Sequence, residues 1–504
     1  MNKKYHIKKK LIYLIKMKYP NVIFFRYEKY NYIDNILGEN QLECNINITS
    51  DKFYLKNLFN SNYHVLVTFG NSSEEYYKDV YEIITENMVK KWFHLKNLDN
   101  IDNFNYSVNY CYIHSLTCNF SDSRPEISIF TTCFNSFNVI ERPYKSLKNQ
   151  TINNWEWVIL DDSGSEDHFN FLKDLFKDET NIRLYKNDKN SGSIGNVKND
   201  AVSLCRGKYV LELDHDDEIV DDLLEDSIKI FENDIDVGFI YTNYTNIYED
   251  GNNYSYGNFF SLGYGGYYLE KYKDKWVFVS RSPNINNVTL SHIVSVPNHA
   301  RIWKKKILLE IGNYNEYLPI CDDYELLLRT AINTKIVKLN KLGYIQYMNN
   351  NNNNFSLIRN REINKLCKDF IYPIMFKEYN INEIMKKIDS YEDEKYITEP
   401  IQIWKRNNFN HQFCNKIISN YKKIYCIITV NSFENNINYI KSVISDDNDF
   451  ILLDNLMSNI DLCNYLDKNN FSNFKCYSID LNKNELINYF LSIYCGGNDY
   501  EIII

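Results

Sequence analysis

The chain has 504 residues, 44% of them hydrophobic and 15% aromatic, which is enough apolar surface for two or three cores rather than one. A formal net charge of −9 excludes a general nucleic-acid binder, which would carry an excess of Lys and Arg. The 12 cysteines run from Cys44 to Cys495 without C-x-x-C spacing, so no zinc or disulfide framework is expected and reduced thiols fit best.

Residues 1–20 are basic, with an apolar set at Ile7, Leu11, Leu14 and Ile15. No run is long enough to span a membrane, and the order of charges does not match a cleavable signal, so the expectation is a cytoplasmic chain without a transmembrane segment. A solvated helix or a charged first strand accounts for this start, with peripheral contact to an anionic membrane as the alternative. From 21 to 120, strand-like runs at Asn21–Arg26 and His64–Phe69 alternate with helical patterns, which predicts an N-terminal α/β unit over 1–120. Val67–Ser73 follows a strand but lacks phosphate-loop spacing and is assigned no chemistry.

At Arg124-Pro125 the pattern changes. Strands are expected at Glu126–Thr132, Trp155–Leu160, Ile182–Tyr185 and Tyr209–Leu213, with helices at Arg142–Lys148, Asp167–Phe176 and Asn196–Cys205 between them. This β-α-β-α-β-α-β order predicts an α/β domain over 121–365, built on a mostly parallel sheet flanked by helices. Two strands end in acids, Asp161-Asp162 after one and Asp214, Asp216 and Asp217 after another. Ligands of open α/β sheets sit outside the carboxyl ends of the strands. Acids crowded at such an edge repel one another unless a cation holds them, and oxygen-only ligands suit Mg²⁺ or Mn²⁺ with a phosphorylated partner. Farther on, Tyr324, Leu327, Leu328 and Ala331 are spaced for a helix with one buried face. Asp322 and Asp323 open it, where one acid is a natural cap and the second is free for another task.

Residues 126–362 resemble family 2 glycosyltransferases of the GT-A fold. The resemblance is carried in order by Ile127–Asn135, Ser146–Thr151, Trp157–Gly164, Asn190–Ala201, Leu213–Asp217 and the stretch Val296–Ala331. It implies a metal-dependent enzyme that uses Mn²⁺ or Mg²⁺ to transfer a sugar from a nucleotide-sugar donor, with UDP as the expected nucleotide, to an acceptor hydroxyl with inversion. It further implies that Thr132 and Asn135 border the nucleotide, although this chain has Thr132-Cys133-Phe134 where many relatives have Pro-Thr-Tyr. Asp161 would accept a hydrogen bond from the base, with Asp162 alternatively capping the next turn. Lys198 and Asn199 would lie at the diphosphate, helped by a helix N-terminus, and Gly192 and Gly195 would let the backbone approach. Asp214 and Asp216, flanking His215, would meet ribose and metal, with Asp217 a further metal ligand. Asp323 would be the general base and Asp322 a cap or positioning group.

His299 is expected either at acceptor or product phosphate or as a structural residue. Arg301 is expected to pair with phosphate or with Asp322 and Asp323, and Arg359 to approach the diphosphate. The aromatic, Gly-rich stretch Tyr254–Tyr268 suits an acceptor cleft or a packed loop. Residues 366–504 start helical and then show strand-like runs at Lys423–Val430, Asp449–Asp454 and Phe474–Ile479, a further α/β unit without a motif. The acceptor, whether glycan, lipid or protein, is not encoded in any recognisable stretch. Two rivals remain: a nucleotidyltransferase, against which the absence of a basic residue in Phe130–Asn138 counts, and an inactive nucleotide-sugar-binding module.

Overall fold

Apolar runs with no polar alternation form strands covered on both faces, and this governs most of the sheet here. The computed structural model describes residues 20–391, apart from 58–62, 82–91, 114, 117–123, 188, 255–266, 281, 284, 294–295 and 350–353. Beyond 391 it describes five strands and residue 468. The basic start at 1–19 and most of Tyr254–Tyr268 therefore lie outside the described residues. Contacts divide the chain into two units. The first comprises Met1–Asn138, Asn154–Val210 and Gly312–Pro319, and the second Val139–Asn153, Leu211–Ile311 and Ile320–Ile504.

In the first unit, β1 (Asn21–Arg26), β2 (Asn45–Thr49), β3 (Val65–Phe69) and β4 (Trp92–Leu95) make a parallel sheet in the order β2-β1-β3-β4. Val22, Ile23, Phe24 and Phe25 are fully buried, which is why the strand reads as an unbroken apolar run. After β5 (Ser115–Leu116) come β6 (Ile127–Cys133), β7 (Trp155–Asp161) and β8 (Ile182–Lys186), parallel to one another, with β5 antiparallel on β8. Each lies within a residue or two of its expected range. The register pairs Cys133 with Asp161 and Asp161 with Lys186, so the three carboxyl ends are level.

The opposite, amino ends of these strands are tied by a buried polar knot. Glu156 accepts from Ser128 Oγ at 2.6 Å, from the Arg206 N–H at 2.7 Å and from Arg206 Nε at 3.0 Å, and it pairs with Arg183. The Arg183 guanidinium also lies 4.8 Å from the Tyr106 ring. Burial alone would push the Glu156 carboxyl up, but the Arg183 and Arg206 charges outweigh it and hold the group below the usual range.

Strand β9 (Tyr209–Glu212) begins in the first unit, where the Lys208 and Tyr209 N–H groups both donate to the Glu126 carbonyl. In the second unit follow β10 (Glu218–Ile219), β11 (Val237–Tyr248), β12 (Tyr267–Tyr272), β13 (Lys275–Ser280), β14 (Arg301–Lys304) and β15 (Lys335–Met348). β11 runs parallel to β15 and antiparallel to β13 and β14, so this part of the sheet is mixed. β10 pairs antiparallel with β15, Glu218 facing Ile345 and Ile219 facing Tyr344. That pairing anchors the loop Asp214–Asp217 against β15. The expected C-terminal strand runs appear as β17 (Lys423–Thr429), β18 (Asn448–Asp454) and β19 (Phe474–Ser478), after β16 (Gln412–Asn415) and before β20 (Asp499–Ile503). Among the described residues no helix is long and apolar enough to cross a membrane.

Candidate active site

At the level carboxyl ends of β6 and β7, Asp161 is 1% exposed. Its Oδ1 accepts the Ser163 N–H at 2.9 Å and lies 2.9 Å from Nδ1 of His168. His168 is fully buried and comes from the helix Glu166–Leu175, whose N-cap is Ser165. Its Nε2 receives the backbone N–H of Ser136 at 3.0 Å. A backbone N–H can only donate, so Nε2 is an acceptor and the ring proton of the neutral imidazole sits on Nδ1. Cys133, Asp161 and His168 bring potential ligand atoms within 4.8 Å of one another. They do not fit a cation: Nε2 is taken by Ser136, and burial holds the Cys133 thiol well above its usual range, away from the thiolate a metal needs.

Asp162 organises the next loop instead of capping its own turn. Its carboxylate accepts from Asn187 Nδ2 at 2.7 Å, from the Ser191 N–H at 3.0 Å and from Ser191 Oγ at 2.9 Å. That loop leads into the helix Ile194–Leu204, capped by Ser193. The two loop glycines have different reasons to be glycine. Gly192 has φ +68° in open space, whereas a Cβ on Gly195 would meet the Asn315 carbonyl oxygen at 2.7 Å. Lys198 is 9% exposed with Nζ 5.0 Å from the Tyr314 ring centroid. Asn199, expected at the diphosphate, instead spends both ends of its amide on Tyr314. Nδ2 donates to the Tyr314 carbonyl at 2.9 Å and Oδ1 accepts its N–H at 2.8 Å. Thr132 is half-buried at the end of β6, and Asn135, exposed with φ 51°, donates its N–H to Ser163 Oγ at 2.8 Å.

In the second unit the acid loop is held from β15. Tyr344 Oη accepts the Asp214 N–H at 3.2 Å and donates to Asp217 Oδ2 at 2.9 Å, while the Tyr347 N–H donates to Asp217 Oδ1 at 2.8 Å. Both Asp217 oxygens are thus engaged, and the expectation of a third metal ligand gives way to a structural pin. Its carboxyl is pushed well above the usual range, first by burial and then by the charges of Asp216 and Asp214. Asp214, His215 and Asp216 are half-buried. Arg142, from the helix Glu141–Lys148, donates to the Asp216 carbonyl, stacks 3.6 Å over the Tyr347 ring centroid and pairs with Glu249 at 2.5 Å. His299 lies face to face with Tyr344, centroids 4.2 Å apart, and edge-on to Tyr244, the packing of a structural histidine.

Helix Asp322–Asn333 begins after Cys321, the N-cap, which has φ 61° and makes no side-chain cap bond. Neither aspartate caps it; they are its first two residues. The helix is buried nearly all round, because Glu325 and Arg329 neutralise one another at 2.7 and 2.6 Å inside the core, and a single buried face was too narrow an expectation. Asp322 is 4% exposed, whereas the Asp323 side chain is 36% exposed. Arg301, on β14, bridges Glu212 Oε2 at 2.9 Å and Asp323 Oδ2 at 2.8 Å. Arg301 therefore meets Asp323. Arg359 pairs with Glu362 at 2.5 Å beside Phe355. His168, Arg142, Tyr344 and Tyr347 carried no local sequence signal.

Residues 128–311 match the family described as Glycosyl transferase family 2. Similar proteins include a chondroitin synthase of Escherichia coli, 26% identical over 52% of this chain and 36% of that protein. A chondroitin synthase of Pasteurella multocida is 25% identical over 56% and 28% of the two chains. The chain thus spans about a third of the length of these relatives. A crystal structure of S. aureus TarS 1-349 in complex with UDP-GlcNAc is 17% identical, covering 55% of this chain and 70% of that one with a TM-score of 0.37. Residues 128–311 of this chain are thus similar to family 2 glycosyltransferases.

Proposed function

We propose that the chain transfers a sugar from a UDP-linked donor to a glycan hydroxyl with inversion, in a reaction that needs Mn²⁺ or Mg²⁺ and is housed in residues 121–365. The observation that carries this reading is the crowding of carboxylates in the loop Asp214–Asp217, fixed by Tyr344, Tyr347 and Arg142. With Asp217 occupied by β15, Asp214 and Asp216 are the acceptor-only groups that fit a hard divalent ion. What such an ion supplies is neutralisation of the departing diphosphate.

The remaining work falls to the protein's own side chains. Asp161 accepts the imino N–H of the uracil ring, with Thr132 and Asn135 bordering the nucleotide. Lys198, His215 and Arg359 are assigned to the diphosphate side. Asp323 takes the proton of the acceptor hydroxyl as that oxygen attacks the anomeric carbon, and Arg301 fixes its direction. The relatives named chondroitin synthase support a glycan as acceptor. The test is a panel of UDP- and GDP-sugars, with and without Mn²⁺, read by donor hydrolysis and by thermal shift. Metal-dependent turnover of a UDP-sugar is expected; turnover of GDP-sugars alone, or equal turnover in EDTA, overturns the donor or the metal assignment.

A further inference from the structure

Asp161 carries an anomaly that the family pattern does not address. Its Oδ2 is buried and, among the described residues, meets no hydrogen-bond donor, while Oδ1 is supplied by Ser163 and His168. Leaving a buried carboxylate oxygen without a donor is costly, so it persists only where the surroundings enforce it or a ligand completes it. The enforcing element is His168. Its ring is anchored at Nε2 by the Ser136 N–H at 3.0 Å, is 4.7 Å from the Phe137 ring centroid, and presents Nδ1 to Asp161 Oδ1 at 2.9 Å. Ser163 Oγ, 3.0 Å from the same Nδ1, accepts the N–H of Asn135, so the imidazole and the loop after β6 are locked together.

We propose that His168 is a positioning residue for donor recognition: its neutral imidazole donates Nδ1–H to Asp161 Oδ1, so that Oδ2 alone is left to accept the imino N–H of the base. The inference rests on the assignment of Asp161 to the uracil ring. It predicts that nucleotide selectivity depends on a side chain that does not touch the nucleotide. Asn and Gln separate the two ends of the ring. His168→Asn puts an amide N–H where Nδ1 was, and His168→Gln puts an amide oxygen where Nε2 was and leaves Oδ1 with the Ser163 N–H but without the imidazole donor.

The test compares UDP with its N3-methyl analogue, which lacks the imino proton, by calorimetric binding to the full chain in Mn²⁺, together with steady-state kinetics. The wild type is expected to prefer UDP by about tenfold or more, about one charge-assisted hydrogen bond. His168→Gln should lose most of that preference and raise the donor KM about tenfold, with kcat at saturating donor little changed. His168→Asn should keep the preference. An unchanged preference in a folded His168→Gln, or its loss in a folded His168→Asn, overturns the role of His168 alone. Failure of the wild type to discriminate the two nucleotides, or an Asp161→Asn protein that discriminates as the wild type does, overturns the base assignment and this inference with it.

Discussion

Asp323→Asn separates chemistry from folding more cleanly than any other single change. Asp323 Oδ2 lies 2.8 Å from Arg301 Nη1 and Oδ1 accepts the Tyr324 N–H at 2.7 Å. An amide of the same shape can keep only one of these bonds with its oxygen and must turn its NH₂ towards the other donor. With the side chain 36% exposed, water can take over part of the loss, so the stability cost is about 1 kcal/mol, or about 2–4 °C in Tm. Removing a general base costs on the order of 10²–10⁴ in kcat, about 3–5 kcal/mol of barrier. The two effects differ enough to be told apart by calorimetry and by initial rates at saturating donor. The expected protein melts near the wild type, binds donor normally and turns over at least a hundredfold more slowly. A kcat within about threefold of wild type would remove Asp323 from the chemistry, because a base-driven step cannot survive loss of its proton acceptor so lightly.

Asp214→Ala with Asp216→Ala should abolish the Mn²⁺-induced thermal shift, and EDTA should do the same to the wild type; a retained shift would move the ion elsewhere. Glu156→Gln strands the buried Arg183 charge and should cost about 3–5 kcal/mol, read by denaturant melts. Because the folded Glu156 carboxyl sits below its unfolded value, its contribution is complete above the unfolded range of about pH 4.3 and fades as pH falls through the folded value. The Gln variant should therefore lose stability less steeply in acid than the wild type. Gly195→Ala drives a Cβ to 2.7 Å from the Asn315 carbonyl and should destabilise by about 1–3 kcal/mol, while Gly192→Ala should be disfavoured through its φ of +68° alone.

Much of the architecture was written locally. Strands such as Trp155–Asp161 and Tyr209–Glu212 are apolar runs closed by polar turns, and the acids at their ends stand next to them in the chain, so periodicity and position were enough to find both. The helix at Asp322 was legible for the same reason, since its i, i+3, i+4 spacing lies within a few turns. The supports of those acids were not. Arg142 reaches the Asp216 carbonyl across 74 residues, and Tyr344 and Tyr347 reach Asp217 across 127 and 130. Only the pairing of Glu218–Ile219 with β15 brings those tyrosines beside the loop. His168 is only seven residues from Asp161, yet its role required knowing that Ser136, from another strand's end, occupies Nε2. Side-chain type and local period determined where carboxylates would gather. The register between distant strands decided which were pinned, which were paired with Arg301, and which oxygen was left wanting a donor, because hydrogen-bond satisfaction depends on neighbours that only the folded chain supplies.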